Sequence, residues 1–159
     1  MMKKILATTV ALATFCGGLL ATAADKGPHD DAIKGRQAMF QTYGFNMGIL
    51  GAMAKEKMEY DAEKASEAAT NLLAAANFGQ SAMWPEGSDN TNPANARTRA
   101  LPEIWTTYPA VADKGAAFQK AAEVMAAQAG NGLSALQGAM GDLGGSCKGC
   151  HDDFRAEKK

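Results

Sequence analysis

Seven residues near the C-terminus, Leu133, Leu136, Met140, Leu143, Cys147, Cys150 and Phe154, are separated by alternating steps of three and four. That spacing keeps one stripe along one side of a helix, and it predicts a helix from Leu133 to about Glu157 packed against partner helices. Both cysteines belong to the stripe, so both are expected to face the core. Strands find little support in the rest of the chain. After residue 23, Val occurs only at 111 and 124 and Ile only at 33, 49 and 104, whereas Ala is abundant.

A first helix is expected to start after Asp30 or Asp31, either of which can cap free N–H groups, and to run to about Lys57. Its stripe is Ile33, Arg36, Phe40, Tyr43, Met47, Leu50 and Ala54, with Arg36 the one charged member. A second helix is expected from about Asp61 to Phe78. Between Gly79 and Leu101, Pro85, Gly87, Asn90, Asn92, Pro93 and Asn95 are too dense in turn formers for a helix and mark a long connection. Pro102 suits a first helical position and Glu103 the positive end of a helix dipole, so a third helix is expected to run from there to Gly130-Asn131-Gly132. Four helices with one long connection predict an all-α, antiparallel four-helix bundle.

The N-terminus reads as a separate segment. Lys3 and Lys4 precede the uncharged run Ile5–Leu20, and Ala21-Thr22-Ala23 supplies the small residues of a cleavage site. The run is shorter than the roughly 20 residues a bilayer span requires. A signal peptide over 1–23 and a mature domain over 24–159 are therefore expected, with no membrane insertion after cleavage. Cys16 is lost with the leader, and Phe15 before it is too bulky for a lipidation signal. Export implies an oxidising compartment, the periplasm. With 16 basic and 17 acidic residues the chain carries a formal charge of −1, which argues against nucleic acid as a partner.

Cys147-Lys148-Gly149-Cys150-His151 is the C-x-x-C-H pattern of covalent haem c attachment. On a helix the two thiols share a face and can bond the two vinyl groups of one porphyrin, while His151 turns its imidazole to the iron. A disulfide or redox dithiol would use the same two-residue gap, but a thioredoxin-like pair wants a strand leading into a helix. Zinc wants four ligands, and His29 is the only other His or Cys in the mature chain. Only Asp152 to Lys159 follow His151, so any second iron ligand would come from upstream.

The chain resembles the cytochrome c′ family, the class II c-type cytochromes, in Arg36-Gln37, in Gly44-Phe45-Asn46-Met47 with Leu50-Gly51, in Leu101-Pro102-Glu103-Ile104-Trp105, and from Cys147 to Arg155. The resemblance implies a periplasmic four-helix bundle with one haem c near the C-terminus, Arg36 and Gln37 contacting the haem with Arg36 near a propionate, and Arg155 beside the proximal His151. It also implies haem-edge contacts from Thr98 and Arg99. A buried Arg needs an anion, and a propionate offers one.

Within the family, low-spin members present a Met to the iron from the first helix, whereas cytochromes c′ proper present an apolar residue and leave the iron five-coordinate. By the family's offsets the position lies four residues after Arg36 and seven before Met47, and both counts reach Phe40. Met39 points roughly 100° away on a helix. The resemblance thus implies electron transfer and the binding of NO or CO rather than enzymatic turnover, with an unidentified redox protein as partner. The alternatives are a low-spin carrier with axial Met39, and a haem peroxidase, which would want a distal acid-base group that Phe40 lacks. Relatives are often homodimers through their first helices, where Gly44, Gly48 and Gly51 could permit close approach.

Overall fold

The computed structural model describes residues 26–158; the expected leader and Cys16 lie outside them. Helix α1 spans Asp30–Ala54, α2 Ala62–Ala76, α3 Glu103–Thr106, α4 Ala110–Gln128 and α5 Leu133–Phe154, with a 3-10 turn at Ser81–Met83. No strand occurs among the described residues, only an isolated bridge between Ala100 and Arg155.

Local chemistry sets the helix ends. Asp61 caps α2, its carboxylate accepting the Lys64 N–H at 2.9 Å. At the start of α1 the expected cap does other work: His29 occupies the cap position without a side-chain bond, and the Asp30 carboxylate accepts the Ala96 N–H of the long connection. The third expected helix is two. Pro109 has no N–H to donate, so the chain breaks at Tyr108-Pro109 and α4 begins anew at Ala110. Gly132 enters α5 at φ 108°, a conformation that glycine adopts without strain.

Cross-helix contacts fix the arrangement. Gln137 near the start of α5 donates to the Ala54 carbonyl at the end of α1 (2.9 Å), so these helices are antiparallel. Lys114 near the start of α4 pairs with Asp153 near the end of α5 (2.9 Å). Gln119 of α4 bonds Asn77 at the end of α2, and Gly130 beyond α4 meets Ser66 near the start of α2. The connection over 55–61 reverses the chain from α1 into α2. Helices α1, α2, α4 and α5 thereby form a closed antiparallel ring, the four-helix bundle expected from the hydrophobic pattern.

The main core joins Leu50 and Met53 of α1, Leu72 of α2, Met125 of α4, and Leu136 and Leu143 of α5. A second, smaller cluster of Ala100, Ile104 and Phe154 sits where the long connection meets the end of α5, with Trp84, Trp105, Val111 and Cys150 packed against it. Two expectations need correction. On α1 the buried row passes through Met39, Asn46 and Met53, while Phe40 is 43% exposed and Met47 and Ala54 are half-buried. On α5, Cys147 and Cys150 are half-buried and outside the main core, and Cys150 packs on the smaller cluster that the long connection forms with Phe154.

Candidate haem site

The last two turns of α5 carry Cys147, Cys150 and His151. Both cysteines are free thiols, and burial pushes both above their ordinary pKa. Burial also lowers His151, with a further contribution from the positive charges of Arg155 and Arg99. Both effects favour the neutral imidazole, the form that ligates a metal. Arg155 Nη1 lies 3.2 Å from His151 Nε2. A guanidinium can only donate, so Nε2 is the acceptor and the ring proton sits on Nδ1. Two free thiols on one helical face and an imidazole whose Nε2 is unprotonated are the donor set of haem c, and the residues present fit that group, with Arg155 the contact that iron would replace at Nε2.

The C-terminal strand-like segment is tied to the long connection. Leu101 N–H donates to the Phe154 carbonyl (3.1 Å), Ala156 N–H to the Arg99 carbonyl (2.9 Å), and Arg99 Nε to the Ala156 carbonyl (2.6 Å). Arg99 thus stands beside Arg155 and His151. Thr98, its neighbour, turns the other way and accepts from Arg36 Nη2 at 3.1 Å.

Arg36 is 2% exposed. Its Nη1 donates to the Met83 carbonyl (3.1 Å) and the Ser88 hydroxyl (2.7 Å), and its Nη2 to the Ser88 carbonyl and Thr98. These four bonds use the four Nη hydrogens and leave Nε–H. The guanidinium carbon also lies 4.6 Å from the centroid of the Trp84 ring. Gln37 donates to the Arg97 carbonyl at 2.8 Å. One turn further on, Phe40 makes edge-to-face contacts with Tyr43 and Trp84, whereas Met39 is buried in the main core.

The sequence-derived residues therefore form two groups at one end of the bundle. Arg36, Gln37 and Thr98 sit around the long connection, and Arg99, Cys147, Cys150, His151 and Arg155 around the end of α5. The residue that links them was missed: Trp84 touches Phe40 and also packs on the cluster containing Cys150. Its signal was a Trp beside Pro85 in an otherwise polar loop, where an exposed indole would be unusual. Ser88, fully buried against Arg36, gave no signal.

A family model described as Cytochrome C′ matches residues 31–155. A cytochrome c-554 of Cereibacter sphaeroides is 39% identical over 135 residues, covering 85% of this chain and 87% of its own. Among solved structures, the cytochrome c′ from Thermochromatium tepidum superposes with a TM-score of 0.73 at 33% identity, covering 84% of this chain and all of that one. A nitric oxide complex of a cytochrome c′ variant from Alcaligenes xylosoxidans superposes with a TM-score of 0.69 at 29% identity, covering 80% of this chain and 95% of that one.

Proposed function

The chain belongs to the cytochrome c′ family, and from that premise we propose that it is an exported periplasmic cytochrome that carries electrons and binds NO or CO through five-coordinate iron ligated by His151. Haem c, which this family binds covalently through cysteines, supplies one-electron redox chemistry and a coordination site for a small neutral gas. The chain's residues supply the rest. Cys147 and Cys150 would hold the macrocycle on α5, and His151 would give Nε2 to the iron in place of its contact with Arg155, with Arg155 and Arg99 placing positive charge beside the ring. Arg36 keeps its Nε–H for a propionate oxygen while its Nη atoms hold the long connection, where Gln37 and Thr98 are also engaged.

The observation that carries this reading is the contrast between two neighbours on α1. Met39 is packed into the main core, whereas Phe40 lies outside both apolar clusters, between Tyr43 and Trp84. A phenyl ring cannot ligate iron, crowds out water and donates no hydrogen bond to bound dioxygen, so it favours gases that bind without such help. The nitric oxide complex of the Alcaligenes relative supports this choice of ligand. The reading includes a homodimer through α1, where Gly44 and Gly48 meet nothing within 4 Å of an added Cβ and Phe45 is 69% exposed.

The absorption spectrum of the oxidised, haem-loaded protein tests the fork. A high-spin spectrum is expected. A methionine-to-iron charge-transfer band would overturn the five-coordinate reading in favour of a low-spin carrier with axial Met39.

A further inference from the structure

Phe40 belongs to neither apolar cluster, so its ring is not held by packing on all sides. Two edge-to-face contacts hold it instead. Tyr43 meets it at 5.5 Å between centroids with planes 79° apart, and Trp84 at 6.1 Å and 77°. The two neighbours differ in what they can do. Tyr43 lies three residues along the same helix and moves with Phe40. Trp84 comes from the long connection and ties the ring to a separate element.

Trp84 is itself well anchored. Its carbonyl accepts the Trp105 indole N–H at 3.0 Å, the two indoles lie 6.3 Å apart, and the Arg36 guanidinium covers its face. We propose that Trp84 is a positioning residue: held by Arg36 and Trp105, it fixes the Phe40 ring in place and thereby limits how fast a gas reaches the distal side. The kinetic half of this statement rests on the reading of Phe40 as the distal guard. A ring restrained by one edge contact from outside its own helix gains rotational freedom when that contact is removed, while the backbone of α1 stays where it is.

The test uses haem-loaded ferrous protein labelled with 4-fluorophenylalanine, with the position-40 fluorine line identified by its loss in Phe40→Ala. Trp84→Ala is expected to move and broaden that line and to speed CO association by about two- to tenfold, the factor one aromatic edge contact can supply. Trp84→Phe should restore both, and Trp84→Ala should add no acceleration to Phe40→Ala. Trp84→Leu repeats the measurement should the alanine variant not load haem. A fluorine line unmoved by Trp84→Ala overturns the proposal, as does an equal acceleration in the Phe40→Ala background. If the line moves but neither Trp84→Ala nor Phe40→Ala alters CO association, the positioning stands and the guard reading of Phe40 fails.

Discussion

Arg36 carries a full charge into a site nearly closed to water, and the cost is met by four neutral acceptors and by the nearby carboxylate of Asp89. Asp89 is likewise buried. Its carboxylate accepts the Thr91 hydroxyl at 2.6 Å and the Thr91 N–H at 2.8 Å, and these bonds, aided by the charge of Arg36, hold its pKa below the usual carboxylate range. A folded-state pKa below the unfolded value, about 3.9, means that the stabilisation is fully present above that value. It is lost as the pH falls through the lower, folded value. Asp89→Asn should therefore destabilise by about 1 kcal/mol at pH 7 and flatten the fall of Tm on acidification from about pH 5 downwards. Parallel Tm curves for the two proteins would show that Asp89 does not contribute through its charge. Arg36 was legible in the sequence as the one charge in an apolar stripe. Its bonds to Ser88 and Thr98 were not, because hydrogen bonds to an aperiodic loop more than fifty residues away leave no periodic trace.

The helices show which patterns carry structural information and which do not. The alternating spacing of three and four marked α5 well, since Leu133, Leu136, Met140 and Leu143 of the stripe all pack in or against the main core, and its observed start at Leu133 is the expected one. On α1 the buried row steps by three from Arg36 to Met39, from Tyr43 to Asn46 and from Leu50 to Met53, so Met39, Asn46 and Met53 take the places assigned to Phe40, Met47 and Ala54. The split between α3 and α4 follows from Pro109, whose missing N–H outweighs the helix-forming residues on either side. Corners depend on bonds with no sequence pattern at all. Tyr60, just before α2, donates its hydroxyl hydrogen to the Ala129 carbonyl (2.8 Å) and accepts the Gly132 N–H (2.9 Å), closing the turn between α4 and α5. Tyr60→Phe removes both bonds beside the fully buried Ala129, and an unfolding free energy lower by about 1–3 kcal/mol is expected in urea titration. A change under about 0.5 kcal/mol would mean that water replaces the hydroxyl there.

Across the whole molecule, apolar packing is uneven. Leu50, Met53, Leu72, Met125, Leu136 and Leu143 are fully buried in a core shared by four helices, whereas the end that carries Cys147, Cys150 and His151 relies on the three-residue cluster of Ala100, Ile104 and Phe154 and on half-buried indoles. Stability should follow that division, because local opening occurs where few apolar contacts must be broken. Haem c adds apolar surface at the thinner end and joins α5 covalently to whatever packs on the other side of the macrocycle. Removing it by Cys147→Ser with Cys150→Ser should therefore loosen the bundle from that end. Hydrogen exchange is expected to accelerate by about a hundredfold or more, the factor of a local stability loss near 3 kcal/mol, in the amides of residues 147–156 and of the connection around Trp84. Amides around Leu72 and Leu136 should accelerate much less. Uniform acceleration along α5 would mean instead that the bundle opens as one cooperative unit, with the site end no weaker than the rest.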